Sequence, residues 1–440
     1  MSVDVEPERL PARAAVRVFA AFAFAYFLSA LLRGVTATLA PNFSADLGLG
    51  AADLGLLGGA FFLGFACAQL PAGKALDRHG ARRVVVLLLA LAVLGCAGFA
   101  AADSVSALIA ARALIGVGVG ACLMGPMTTF RRRFRPASQM RANAWMLMTG
   151  SIGMVASTVP VRWLLPIAGW RGLFWIVAIL LAIAALAIAR LVPADARMPS
   201  AASAEDDRRD RRGSVQGSGY AVIFRHPVFQ AYAPLGFFLY GGMIAVQSLW
   251  AGPWLVDVGG WSAGEAARGL LSINVCMLLA FLGWGAAVPR LEMRGWRTPR
   301  IVAASVPVAL AALALAIALG PAAGAWSWAL FCVASSGTAL AQPAVGQAFP
   351  GPVAGRALSA YNLVVFAGVF AVQWGIGVAI DAMRVLGADR VSAYRAAFAL
   401  LAVCAASSYG WLLWRRGLAP TGPVRAPVRC ADNAPPCPDS

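Results

Sequence analysis

A helix needs about 20 consecutive, mostly apolar residues to cross the hydrocarbon core of a bilayer. In this 440-residue chain such runs recur at 18–40, 54–73, 84–102, 105–128, 143–166 and 172–192. After a polar gap they return at 229–251, 268–289, 299–320, 324–347, 357–381 and 392–414. Backbone polar groups inside a bilayer must be satisfied within the chain, which leaves helices and closed barrels. Period-two alternation is absent from these runs, so a barrel is excluded and twelve transmembrane helices are expected. Composition agrees: 60% of residues are hydrophobic and 12% charged, against roughly 45–50% and about 25% in soluble domains. The lipid bilayer is thus the first partner of this protein.

The chain carries 36 Lys+Arg against 19 Asp+Glu, a net charge of +17. In a soluble protein that excess would suggest nucleic acid, but recognition of that kind needs a folded basic face. Here the charges fill short gaps between apolar runs, where Lys and Arg set orientation by resisting translocation. With the N-terminus in the cytoplasm, 28 of the 36 basic residues fall on the cytoplasmic side, six outside and two within the spans. Both termini are therefore expected in the cytoplasm of a bacterium, with the chain in its inner membrane. All but Lys74 of the basic residues are Arg, the signature of a GC-rich bacterial gene. No cleavable signal is expected, because the first residues are polar and partly acidic and the run after them is too long for a signal peptide.

The eight cysteines are scattered with no C-x-x-C pair, and the two histidines, His79 and His226, stand far apart. Metal sites, disulfide scaffolds and Cys/His catalysis lack their parts. No enzyme, no cofactor and no metal are expected.

The gap at 193–228 contains AEDDRRDRRGSVQGSG, the most charged stretch of the chain. It cannot bury a core and reads as a cytoplasmic linker. The expected organisation is a cytoplasmic N-terminus (1–17), a six-helix bundle (18–192), the linker, a second six-helix bundle (229–414) and a Pro-rich disordered tail (415–440). The halves echo each other. Leu76 to Arg83 (LDRHGARR) matches Leu291 to Arg300 (LEMRGWRTPR), which sets Gly80 opposite Gly295. Gly169 to Phe174 (GWRGLF) matches Ala393 to Phe398 (AYRAAF). Internal repeats with a site between them are a mark of transporters.

Gly73-Lys-Ala-Leu-Asp77-Arg78-His-Gly80-Ala-Arg82-Arg83 resembles the G-x-L-x-D-R-x-G-x-R-R loop between helices two and three of the major facilitator superfamily. Arg112, Gly116 and Gly118 resemble that family's R-x-x-x-G-x-G motif in helix four. The antiporter motif of helix five is poorly matched, since Gly150, Gly153 and Pro160 have a different spacing. The resemblance implies an all-α fold of two pseudo-symmetric six-helix bundles. It also implies a conformational latch at Gly73, Asp77, Arg78, Gly80 and Arg82. Asp77 would face the N-terminus of the eleventh helix near Arg356 to Ser359, where the helix dipole offers partial positive charge.

Charges inside the membrane are costly and usually functional. Arg33 in the first span and Arg112 in the fourth fall at similar depth, and in the resembled family both helices line the central cavity. Two cations so placed suit an anion, which a guanidinium binds through paired hydrogen bonds. Every acidic residue maps to a loop or a span end, so a buried carboxylate for proton symport or for a cationic drug is missing. The amides Gln247, Asn274, Gln342, Asn362 and Gln373 complete the candidate substrate-binding set; smaller polar groups at that depth, such as Ser29 and Thr36, more often bond within the bundle. The expected activity is a secondary active or facilitative transporter, an antiporter of small organic or inorganic anions working by alternating access, and a monomer. The alternatives are an exporter of neutral or hydrophobic compounds and a transporter-like membrane sensor. No partner domain supports the sensor.

Overall fold

The computed structural model describes residues 10–193 and 220–418, all within helices or short connections, with no strand among them. Most of the expected linker and tail and residues 1–9 of the expected N-terminal segment lie outside the described residues. The first four helices are α1 (Ala12–Leu47), α2 (Ala51–His79), α3 (Ala81–Ala101) and α4 (Val105–Arg133). The fifth crossing, α5, starts as Pro136–Ala156 and resumes over 159–168 after a break. The sixth, α6, covers 170–191. A short helix, Tyr220–Arg225, precedes α7 (Pro227–Val258). Then follow α8 (Ala263–Met293), α9 (Thr298–Ala322), α10 (Ala325–Gln347), α11 (Gly351–Val385) and α12 (Arg390–Leu418). Twelve crossings put the start of α1 and the end of α12 on one face, the terminus face; the opposite one is the far face.

The fifth span is where the expected boundaries shift most. It begins seven residues before the apolar run at 143 and is not one continuous helix. The hydroxyls of Ser157 and Thr158 donate to the carbonyls of Met154 and Val155, competing with the helical ladder. Pro160 then has no N–H to give. The helical run from Val159 to Leu191 is broken in turn at Gly169, whose φ of 64° is open mainly to glycine.

The repeat seen in the sequence has a structural counterpart at three levels. Gly80 and Gly295 both take a positive φ, 78° and 80°. Trp170, at the start of α6, donates its indole N–H to Asp46 near the end of α1 (2.9 Å). Tyr394, its match at the start of α12, donates its hydroxyl to Asp257 near the end of α7 (2.7 Å). Beneath these bonds, Phe43 packs edge-on against Trp170 and Trp254 against Tyr394. Each half thus closes its first helix onto its last with an aromatic donor and a carboxylate.

The two halves meet chiefly through α2 and α11, which run antiparallel. At the far face the contact is backbone on backbone. A side chain at Gly377 would strike the carbonyl of Ala51, and one at Gly55 would strike the carbonyl of Gln373. Gly55 and Gly59 stand four residues apart on one helical face, the small-xxx-small spacing that lets helices approach in lipid. Midway along, the rings of Phe62 and Phe65 face Phe366, with Phe65 and Phe366 centroids 4.5 Å apart. Near the terminus face the contact loosens: a Cβ on Gly73 would meet only the Ser359 hydroxyl, at 3.9 Å. The pair is a wedge, shut at the far end by glycine and held apart lower down by phenylalanine. A second far-face contact joins α1 to α7, where Gly252 lies against the carbonyl of Ala37.

Filling the tight end should be costly. Gly377→Leu is expected to destabilise the protein by about 1–3 kcal/mol, the usual cost of overpacking, seen as a lower midpoint in thermal unfolding in detergent. Gly375→Leu, two residues away with open space around its Cα, is expected to leave the midpoint unchanged.

Candidate functional site

In an α-helix residues four apart share a face, and the next residue is turned by about 100°. In α1 this arithmetic separates two roles. Leu32 and Thr36 face α4, whereas Arg33 turns away from it toward the seam between the halves. Its guanidinium lies 5.6 Å from the ring centre of Phe65 on α2 and 6.0 Å from that of Phe366 on α11. Tyr26 on α1, Cys122 on α4 and Tyr240 on α7 are within its electrostatic reach. Arg33 therefore stands where helices from both halves converge. It is partly exposed, and its Nε is buried without a hydrogen-bond partner. Ser29, one turn earlier on the same helix, likewise carries a buried hydroxyl oxygen with no partner.

Arg112, the other arginine expected at the substrate site, is differently placed. It is 1% exposed. One terminal nitrogen donates to the Leu32 carbonyl at 3.2 Å and the other to the Thr36 hydroxyl. The rings of Phe61 and Phe99 flank its guanidinium, 5.2 Å and 6.0 Å from their centres. Both terminal nitrogens are spent on tying α4 to α1, while Nε is buried without a partner, so Arg112 acts as a helix clamp. The glycines of its motif serve the same packing. A side chain at Gly116 would strike the carbonyl of Phe61 on α2, and one at Gly118 the backbone of Ala92 on α3.

The five amides pair with one another or with their neighbours. Gln247 on α7 donates to Asn274 on α8 (2.9 Å), which in turn donates to the Leu270 carbonyl. Gln342 on α10 donates to Asn362 on α11 (2.8 Å). Gln247, Gln342 and Asn362 remain partly exposed. Gln373 is fully buried on α11 and donates to Ser248 on α7 (3.0 Å), while its backbone carbonyl accepts from the Trp250 indole (3.0 Å). Gln373 thus belongs to the α7–α11 contact, some two turns from Phe366. A double-mutant cycle of Gln342→Ala with Asn362→Ala is expected to give a coupling energy of about 0.6–1.7 kcal/mol, the range of interhelical hydrogen bonds in lipid, measured by thermal unfolding of the four variants.

Several members of this environment left no mark in the sequence. Phe65 and Phe366 are two of many phenylalanines in apolar runs. Gln69, on α2, is 1% exposed, and its side-chain carbonyl has no partner. The shape of α7 is also unforeseen. It contains three widened π-helical turns, Gly236–Tyr240, Val246–Trp250 and Trp254–Val258, a distortion frequent at functional sites. Two of them carry Tyr240 and Gln247.

In the loop motif, Gly80 makes the turn between α2 and α3, and Gly73 lies beside Ser359 near the start of α11. Arg82 is partly exposed; Asp77 and Arg78 are exposed, and among the described residues neither makes a side-chain hydrogen bond or ion pair. No group of three or more His, Cys, Asp or Glu capable of holding a metal occurs among the described residues.

The sequence model described as the Major Facilitator Superfamily matches residues 22–373. Among curated proteins, the "Multidrug resistance protein MdtL" of Escherichia fergusonii is 29% identical over 183 residues, 40% of this chain and 44% of that protein. The protein of the same name from Shigella dysenteriae serotype 1 matches to the same extent. The chain thus spans less than half the length of these relatives. Among solved structures, a bacterial homolog of the human lysosomal transporter Spinster, in an inward-facing and unoccupied conformation, superposes with a TM-score of 0.71 at 18% identity, over 92% of this chain and 98% of the other. The POT family transporter PepTSo gives 0.72 at 14% identity, over 93% and 99%.

Proposed function

The chain belongs to the Major Facilitator Superfamily, and from that premise we propose that this transporter moves a small organic anion, one negative charge at a time. Arg33 carries the reading. It is a partly exposed cation at the seam of the two halves, it keeps an unpartnered nitrogen, and its ring neighbours are Phe65 and Phe366. A cation in lipid is retained where it meets a counter-charge. Asp46, Asp53, Asp257, Glu265 and Asp381 lie near the far-face ends of their helices, and Asp77 and Glu292 near the terminus-face ends. None is positioned to neutralise Arg33, so the counter-charge is left to the substrate. With Arg112 committed to α1, a single guanidinium remains, which favours a monoanion over a dianion. The surrounding rings favour an apolar body behind the charged group.

The terminus face is read as cytoplasmic, because the Arg-rich ends of α2, α4, α8 and α12 lie there. The chain divides into two six-helix halves, 18–192 and 229–414, that rock about the site. Without an acidic residue at depth, the cycle is completed by exchange or facilitated movement of anions.

A second reading, export of neutral or hydrophobic compounds, is favoured by the aromatic surroundings and by the name of the multidrug resistance relatives. A thermal-shift screen of the purified protein separates the two. Aromatic or branched monocarboxylates are expected to raise the unfolding midpoint, with inorganic phosphate, nitrate, dicarboxylates and neutral analogues well behind. If neutral analogues of the same shape stabilise as well as the acids, the anion reading fails.

A further inference from the structure

An acidic residue in the last turn of a helix opposes that helix's own dipole, so its position calls for a partner elsewhere. Asp381 lies in the final turns of α11, and its partner is the start of α2, in the other half. The Ala51 N–H donates to Asp381 Oδ1 at 3.2 Å and the Ala52 N–H donates to Oδ2 at 2.8 Å. These are two of the N–H groups that the first turn of a helix leaves unpaired. The residue before them, Gly50, has no side chain with which to cap the helix, and a Cβ placed on it would lie 3.1 Å from Asp381 Oδ2. One turn earlier on α11, Gly377 brings that backbone against Ala51 and Ala52. A bare helix start, an acid aimed at it and a glycine on each side of the joint form one bidentate contact between the halves. Asp53, from within α2, reaches only the Gly50 N–H, at 3.4 Å.

We propose that Asp381 is the latch of the far face, capping α2 while that side is shut and releasing it each time that side opens. The antiparallel pair repeats the arrangement at its other end. Asp77 stands in the last turn of α2, and the start of α11 lies beside that end at Ser359. In this conformation the Asp381 contact is made, and among the described residues Asp77 makes no side-chain hydrogen bond or ion pair. Each helix carries near its C-terminus the acid that would cap its partner, and the transport cycle exchanges one cap for the other. This rests on membership of the family and not on the charge of the substrate, so failure of the anion reading leaves it standing.

The test is the distance between the far-face ends of the halves. Spin labels are placed at Ala45 and Leu386, both exposed, in a full-length chain whose native cysteines have been replaced, and read by pulsed double-resonance spectroscopy. The unsubstituted protein is expected to show mainly the short distance. Asp381→Ala is expected to shift the open-to-closed ratio by at least about tenfold, the equivalent of one hydrogen bond to a charged acceptor. Asp381→Asn keeps the shape and one acceptor oxygen, and should shift the ratio in the same direction by less, which covers the case in which the alanine variant does not fold. Asp257→Asn removes a far-face carboxylate whose partners, Tyr394 and Arg390, belong to its own half, and should leave the distances unchanged. Unchanged distances in both Asp381 variants would overturn the proposal, and so would an equal shift in Asp257→Asn.

Discussion

Arg33→Gln is expected to abolish saturable binding of organic anions while leaving the folded protein intact. Truncating one partner of a desolvated charge pair typically costs about 2–5 kcal/mol, or roughly 30-fold or more in affinity. The variant itself should tolerate the change. Arg33 would lose its hydrogen bond with the Tyr26 hydroxyl on its own helix and weak ring contacts with Phe65 and Phe366, while its Nε is already unpartnered. The measurement is counterflow of a labelled monocarboxylate in proteoliposomes, alongside the unfolding midpoint of the same preparation. Arg33→Lys should recover part of the transport, because the ammonium keeps the charge and loses the paired donors. Undiminished transport of an anion by Arg33→Gln would refute the assignment.

Arg112→Gln should show the opposite pattern. This side chain donates to the Leu32 carbonyl and the Thr36 hydroxyl in a site 1% exposed. Shortening it strands an acceptor and a hydroxyl out of reach and opens space between Phe61 and Phe99. Leaving buried partners unmatched costs about 1–3 kcal/mol each, so a total of roughly 2–6 kcal/mol is expected for the two, with a large fall in the unfolding midpoint. Protein rescued by low temperature or stabilising lipid should retain its order of preference among anions. Arg112→Lys should rescue little, since one ammonium cannot span both acceptors along α1. A variant of Arg112 with normal stability and altered anion preference would return that residue to the substrate site.

These two arginines show what was legible in the sequence. That both lie inside the membrane follows from hydropathy alone, as do the helices that carry them. Their different fates depend on the rotation of α1 about its axis against α4, which puts Leu32 and Thr36 on one side and Arg33 on the other. Helical periodicity relates residues of one helix but says nothing about which neighbour each face meets. The same limit hid Phe65 and Phe366 among the other phenylalanines. Asp381 was visible as an acid at a span end, yet its role depends on α2 and α11 running antiparallel in contact. The repeat is legible at Gly80 and Gly295, because a positive φ there favours glycine. The break in the fifth span is not legible there, because Ser157, Thr158 and Pro160 are tolerated in apolar runs.

The glycine-lined end of the α2–α11 wedge has a thermal consequence. Heat capacity rises by about 0.45 cal/K/mol for each Å² of apolar surface exposed to water and falls by about 0.26 for each Å² of polar surface. Parting α2 from α11 at Gly55 and Gly377 uncovers mostly peptide groups, so the two contributions oppose each other there. The enthalpy of opening this joint should therefore change little with temperature. The logarithm of the open-to-closed ratio should then fall on a straight line against reciprocal temperature, without the curvature that exposure of an apolar joint would bring.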